Sequence, residues 1–497
     1  MLKYLVALLM LAGVAQAQNL RIGLREDPDA LDPSLARTYV GRIVFAALCD
    51  KLFDVNEKLE IVPQLATGFV WEDAKTLRIT LRTGVKFHDG EVMDAEAVRY
   101  SLMRHLTMQG SFRRGEINSM ESVEVVDAAT VRVRLKEPFA PFLSQLTDRA
   151  GMIVSPKAAE ALGAGFGNRP VCAGPFRFVE RVAQDRIVVE RFADYWDAAR
   201  IHLQRITYLP IPDSTVRLAN LQSGAIEISE TISPSDIAAV RRNPRLRAVL
   251  SDELGYQSIT LNIGNGARAN TPFGRDARVR QAFELAIDRD ALNQVVYEGM
   301  YTPTRQAVPP ASPFHVAGIR PLPRNVERAK ALLREAGVTA PLTVEMTVPN
   351  NPDLRQVAEV IQAMVAEAGF ALKINAMEFA SSLQAAQRGD FETYLLGWSG
   401  RADPDGNTWS FMHTGAPQND GRYSNPAVDA LLNEQRTVND PAARRALLER
   451  MWQLAIVQDV SRIYLWHRKN TPAMSARVQG FVAVPDGLIR VQGLRLQ

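Results

Sequence analysis

The chain has 497 residues, 46% of them hydrophobic and 23% charged, with a formal net charge of +3. That is the composition of a folded globular protein, and it excludes a disordered or fibrous chain. The arginines are spread along the whole length, whereas a phosphate-binding surface would cluster them, so nucleic acid is not an expected partner.

The first residues, MLKYLVALLMLAGVAQAQNL, place a lysine at position 3, an apolar stretch from Leu5 to Val14 and small residues at Ala15 and Ala17. This is the layout of a cleaved secretory leader over residues 1–17, with an apolar core too short to span a bilayer stably. No cysteine sits near the cut to carry a lipid, and no later segment offers the roughly 18 consecutive apolar residues of a membrane helix. The expectation is an exported, soluble protein without a lipid anchor. The roughly 480 residues that remain exceed the ~250 to 300 at which a single core stops growing, so two or more lobes are expected.

Early in the chain, TLRITLRTGVKFHDG (76–90) and TVRVRLKEPF (130–139) alternate apolar and polar residues with period two, as half-buried antiparallel strands do. Further on, NVERAKALLREAG (325–337) puts Val326, Ala329, Leu332, Leu333 and Ala336 on one helical face and stops at Gly337. The segment from Leu342 is the most legible. LTVEMTV (342–348) reads as a strand, and Asn351 with Pro352 supplies a cap and a first-turn proline. Leu354, Val357, Val360, Ile361, Met364, Val365 and Ala368 then recur at helical spacing up to Gly369. Strands in ALKINAM (371–377) and FETYLLGW (391–398) follow, with a short helix between them. Such alternation with short connections means a parallel sheet with right-handed crossovers, whose ligands bind beyond the carboxyl ends of the strands. GWSGRADPDG (397–406) lies at one such end.

An α/β middle bracketed by β-rich ends predicts one lobe interrupted by another. The first spans 18–258, with an inserted β-rich subdomain over about 50–165. The second spans 259–468, and 469–497 return to the first. The chain would cross near Tyr256 to Asn262 and near Trp466 to Thr471, and two adjacent crossings make a hinge over a cleft.

Chemical motifs are scarce. Gly397-Trp398-Ser399-Gly400 fails as a nucleophile elbow because position 401 is arginine, and GAGFG (163–167) is followed by proline where a dinucleotide loop would open a helix. His88 and His413 are isolated, with no partner at helical spacing, which favours hydrogen bonding over metal ligation. With two cysteines and six histidines in all, a C-x-x-C zinc site is excluded, and no catalytic residue or cofactor is expected. Cys49 and Cys172 would bridge only if their Cα atoms approach within about 7 Å; two buried thiols are the alternative.

Several stretches, taken together, resemble solute-binding family 5, the extracytoplasmic receptors of ABC importers for peptides, nickel and related solutes. FAALCDKLFDVNEKLEIVPQLATGFVWEDAKTLRITLRTGVKFHDGEVMDAEAVRYSL (45–102) looks like its signature region. PVCAGPF (170–176), PDSTVRLANLQSGAIEI (212–228), PFGRDARVRQAFELAIDR (272–289), RAKALLREAG (328–337) and GWSGRADPDGN (397–407) follow in the family's order. The resemblance implies a two-lobe Venus-flytrap fold of the type II kind with an extra β-rich subdomain in its first lobe. It implies no catalysis, a solute buried between lobes, delivery to a membrane permease, a periplasmic location and a monomer.

It also implies site residues. Arg37, Thr38 and Tyr39 fall on a loop that reaches the cleft in similar proteins, and Asp148 and Arg149 on another stretch that lines it in some. Trp398 would stack on ligand. Dipeptide-binding members carry an aspartate for the peptide amino group three residues after that tryptophan, and an arginine for the carboxylate where Val348 stands here. The residue three after Trp398 is Arg401, so the resemblance points to an anionic ligand group there, or to an ion pair with Asp403. Asp403 otherwise suits position i of a type I turn through Pro404 and Gly406. Two further readings are a metal or metal-chelate receptor of the same fold using His413, and a secreted α/β hydrolase.

Overall fold

A computed structural model describes residues 18–497, so the expected leader lies outside the described residues. Two large sheets organise the chain. The first has seven strands in the order Leu246–Ala248, Ala473–Ser475, Ile228–Ser229, Asn19–Leu24, Arg205–Pro210, Arg186–Arg191 and Phe176–Val182. At its centre Asn19–Leu24 runs parallel to both Arg205–Pro210 and Ile228–Ser229. The second has six, ordered Thr302–Pro303, Arg462–Asn470, Ser251–Leu261, Thr393–Trp398, Leu342–Pro349 and Phe370–Met377. Each sheet has its own apolar core, built on residues such as Ile22, Val40 and Tyr208 in one and Phe283, Ile361 and Trp466 in the other.

The alternating early segments form a separate four-stranded antiparallel sheet, ordered Ala66–Asp73, Thr76–Leu81, Thr130–Leu135 and Met120–Asp127. Leu77, Ile79, Leu81, Val131, Val133 and Leu135 face its buried side. Period-two patterning is the direct cause, because successive side chains point to opposite faces of a strand.

In the second lobe the strand, helix, strand, helix, strand alternation is as expected. Leu342–Pro349 runs parallel to both Phe370–Met377 and Thr393–Trp398. Between the first two lies the helix Pro352–Ala366, where the Asn351 side chain accepts from the Leu354 N–H at 3.1 Å. Val357, Ala358, Ile361 and Val365 are buried on the sheet. Gly369 holds φ at 98°, the left-handed conformation that lets the chain turn back into the next strand.

The lobes are joined by two adjacent segments, of which only the outward one lies away from the stretch the sequence suggests. Ser251–Leu261 belongs to the second sheet over its whole length, so the outward crossing is at Val249 and Leu250, ahead of Tyr256 to Asn262. The return crossing is at Thr471 and Pro472, at the end of the expected stretch. Ser251 pairs with Asn470 beside it, and the Thr471 hydroxyl donates to the Ile232 carbonyl at 2.8 Å.

Cys49 and Cys172 are bridged, with Cα atoms 4.9 Å apart and 123 residues of separation. In the chain-entropy picture a loop of that length is worth about 4 to 5 kcal/mol. The bridge ties the end of the helix Tyr39–Leu48 to the segment entering the strand Phe176–Val182.

Candidate functional site

A cavity lies between the two sheets, and its wall is drawn from the carboxyl ends of parallel strands in both lobes. Arg25 and Glu26 follow Asn19–Leu24, and Thr231 and Ile232 follow Ile228–Ser229. From the other side come Pro349, at the end of Leu342–Pro349, and Gly397 to Ser399, at the end of Thr393–Trp398. Strand ends of this kind expose backbone and loop side chains at one edge, which is why ligands gather there.

Four expected site residues stand on this wall: Arg37, Thr38, Tyr39 and Trp398. Local chemistry sets the first three. The Asp29 carboxylate accepts from the backbone N–H groups of Arg37 and Thr38 at 2.8 and 3.2 Å, and the Thr38 hydroxyl caps the helix Tyr39–Leu48 by accepting from Gly41 at 3.1 Å. The Tyr39 hydroxyl donates to the Gly487 carbonyl, and the Arg25 guanidinium lies 5.1 Å from its ring centre. Arg37 reaches across the cleft: one terminal nitrogen donates to Asp420 at 2.9 Å. Its Nε and Nη1 are buried and have no hydrogen-bond partner. Trp398 donates from Nε1 to the Gly406 carbonyl and to Asn407 Oδ1, both at 3.1 Å, and its ring meets Phe411 edge-on at 4.8 Å.

Arg149, Arg401 and Asp403 do not line this cavity. Arg401 stacks over Trp398, 4.5 Å from its ring centre, and forms an ion pair with Asp148 of the other lobe. Its Nη1 donates to the Gly400 carbonyl at 2.7 Å. Asp148 also takes Arg42 Nε at 3.0 Å, with Arg149 Nε 3.7 Å away. Arg42 in turn donates to Ser399 at 3.0 Å, closing a buried polar cluster between the lobes. Burial alone would raise the Asp148 carboxyl, but Arg401, Arg42 and Arg149 outweigh it and hold the group well below the usual carboxylate range. Burial and then the repulsion of Arg42 pull Arg401 down to about 10.

Arg149 is fully buried, donates from Nη1 to the Ala36 carbonyl at 2.8 Å and touches no part of the cavity. Asp403 pairs with Arg444 at 2.8 Å, not with Arg401. Nor does it begin a simple type I turn. Its Oδ1 accepts from the Asp405 N–H at 2.9 Å where the helix Asp405–Met412 opens, so DPDG starts a helix. Proline and acidic residues suit a first helical turn as well as a β-turn, and the apolar TWSFM that follows decides in favour of the helix. Gly400 is required for its place: φ is 72°, and a Cβ there would lie 2.2 Å from the Leu254 carbonyl oxygen.

His88 and His413 have hydrogen-bonding roles. His88 Nε2 lies 3.0 Å from the Gly174 carbonyl, and His413 stacks on Trp409 at 4.5 Å with Nδ1 2.9 Å from the Thr414 carbonyl. Neither is on the cavity wall, and among the described residues no three potential metal ligands cluster.

The remaining charged wall residues were not singled out in the sequence. Arg25 pairs with Glu230 and Arg468 with Glu253, each at 2.6 Å. Arg217 donates only to neutral oxygens, among them the Thr231 carbonyl at 3.2 Å. Arg462 donates to the Ser258 hydroxyl at 3.1 Å and faces the Phe411 ring without a carboxylate partner. Glu26 is half-buried and its carboxyl is pushed up to about 8, chiefly by burial, with Arg25 opposing. A signal for Arg25 and Glu26 did exist: RED directly follows the strand NLRIGL, as GWSG follows TYLL.

The family described as bacterial extracellular solute-binding proteins, family 5 (Middle) has a sequence model that matches residues 60–419. The chain is 30% identical over 477 residues to the glutathione-binding protein GsiB of Pectobacterium atrosepticum, covering 92% of this chain and 90% of that one. It is 29% identical to GsiB of Salmonella typhimurium, with 97% and 96% covered. Among solved structures, AgaA of A. tumefaciens R10 in complex with agropinic acid superposes with a TM-score of 0.88 at 25% identity, covering 96% and 99%. The periplasmic binding protein DppA of Helicobacter pylori in complex with the peptide STSA gives 0.87 at 24%, covering 97% and 98%.

Proposed function

The chain belongs to family 5 of the bacterial extracellular solute-binding proteins, and from that premise we propose that it is the periplasmic receptor of an ABC importer for a short peptide-like solute rich in carboxylate. The receptor closes its lobes on the solute and presents the closed form to the permease; it performs no catalysis, carries no lipid anchor and works as a monomer. Glutathione, a tripeptide with two carboxylates and one ammonium group, is the first candidate, in keeping with the glutathione-binding relatives.

One observation carries the reading. The cavity between the lobes is walled by five arginines against three carboxylates, and Arg37 keeps two buried N–H donors unfilled although it already grips Asp420 of the other lobe. Buried donors without partners are costly, and a ligand carboxylate that fills them recovers that cost together with a charge-assisted hydrogen bond. Arg37, Thr38, Tyr39 and Trp398 are the ligand contacts in this reading, joined by Arg462.

The test is a thermal-shift and small-angle scattering series with glutathione, neutral di- and tripeptides and agropinic acid. Binding should stabilise the protein by about 2.7 kcal/mol at 100 times the dissociation constant, and should shrink the radius of gyration as the lobes close. A panel that moves neither quantity defeats the proposal. A preference for neutral peptides over glutathione would defeat the anionic part alone.

A further inference from the structure

We propose that Glu26 is the receptor for a positively charged group of the solute, an ammonium in a peptide-like ligand, so that the first lobe supplies the acidic pole of the site. The inference rests on the receptor reading above and adds the polarity of the bound solute.

Elimination among the carboxyl groups of the cavity wall leads to Glu26. Of the wall's other carboxylates, Asp420 is paired with Arg37 at 2.9 Å, and Asp353 has no cation but is held by the hydroxyls of Ser214 and Ser233 of the first lobe, each at 3.2 Å. Among the described residues Glu26 makes no ion pair and no side-chain hydrogen bond. The two guanidinium groups closest in charge terms are not free to serve it. Arg25 is held by Glu230 and by the Tyr39 ring, and Arg468 by Glu253 and the Trp398 carbonyl. Glu230 and Asp29 repel it further. A half-buried carboxyl in this position is poorly hydrated, and a cation delivered by the ligand is the partner that its surroundings withhold. In the second lobe the residue three after Trp398 is Arg401, turned away into its pair with Asp148, while Asp420 holds Arg37 and Asp353 already takes two hydroxyls of the first lobe.

The chemistry has a signature. In the ligand-free protein at neutral pH the Glu26 carboxyl is largely protonated, because burial has raised it to about 8. An ammonium ligand binds the carboxylate, so the neutral carboxylic acid and the incoming ammonium become a carboxylate–ammonium ion pair. The acid proton leaves to solvent, and the ammonium keeps all of its own. Affinity for amine-bearing solutes should therefore rise as pH increases from 6 toward 8.

Calorimetric titration of the full chain with glutathione, in two buffers of different ionisation enthalpy at pH 7, should register release of about one proton per ligand. Glu26→Gln should abolish the release and weaken glutathione binding by about 10- to 100-fold, as expected for a hydrogen bond to a charged group. N-acetylglutathione should bind the wild type with a similar loss and should lose little more in the variant. The acetylated ligand tests the wild-type protein and so stands whether or not the variant folds. Equal affinity for the amine and its acetylated form, or proton release unchanged in Glu26→Gln, overturns the assignment while leaving the receptor reading intact. No binding of glutathione, peptides or agropinic acid in any form overturns both.

Discussion

Arg37 and Arg401 are equally buried, each 8% exposed. Each reaches across the cleft to a carboxylate of the opposite lobe, Arg37 to Asp420 and Arg401 to Asp148. The difference is in what remains. Arg37 lines the cavity with two donors unfilled. Arg401 is packed among Asp148, the Gly400 carbonyl and the Trp398 ring, and has no cavity face. An arginine in a binding cleft is thus defined less by its burial or its sequence position than by whether the second lobe has already consumed its donors. Both arginines link the lobes, and only Arg37 also lines the cavity.

The largest test of that contrast removes the shared anion of the interlobe cluster. Asp148→Ala leaves Arg42, Arg149 and Arg401 buried without their carboxylate, and should cost about 3 to 5 kcal/mol in chemical denaturation, as breaking a buried pair does. A loss below about 1 kcal/mol, the range of solvated pairs, would mean the cluster is not a link between lobes. Next in size, Arg37→Met should weaken solute binding by about 10- to 100-fold, with the discrimination between carboxylate-rich and neutral solutes collapsing. If selectivity survives in that variant, Arg37 is not the anionic contact.

Arg401→Met leaves Asp148 still paired with Arg42, so its effect should be smaller. We expect affinity to fall by about fivefold or less and by the same factor for every solute, since a coupling of about 1 kcal/mol to closure acts on all ligands alike. A change in the ratio of affinities would instead assign Arg401 to ligand contact. A further test concerns Glu26 in the absence of ligand. Its folded value is raised above the unfolded one, so its contribution is fully present below the ordinary glutamate range and is lost as pH rises toward about 8. Glu26→Gln should therefore match the wild type in melting temperature at about pH 4.5 and exceed it at about pH 8. An equal difference at both pH values would show that the carboxyl is not raised.

Much of the second lobe is legible in the sequence because its order is local. The spacing of Val357, Ile361 and Val365, the cap at Asn351 and the stop at Gly369 act within a few residues of one another. Trp398 and the Arg37 to Tyr39 loop could be placed at the cleft, since strand ends and family order lead there. Arg401 has the sequence position of a ligand contact, but its partner Asp148 arrives from the other lobe, which no local pattern shows. Arg462 and Asp420 carried no local signal at all. The crossing at Val249 and Leu250 is obscured because the strand Ser251–Leu261 is buried on both faces from Glu253 on, so its polar residues, Gln257, Ser258 and Thr260 among them, do not follow a period-two pattern.

The sequence by itself determined the elements, their alternation and the family, because side-chain periodicity, caps and glycine conformations act over a few residues and survive without knowledge of the fold. The tertiary structure alone decided which charges are spent and which are available. Ion pairing is settled at separations of about 4 Å or less, where a guanidinium either meets a carboxylate or does not. For Arg37, Arg401 and Glu26 that outcome depends on how two lobes face one another across a cleft, a relation that no stretch of the chain contains.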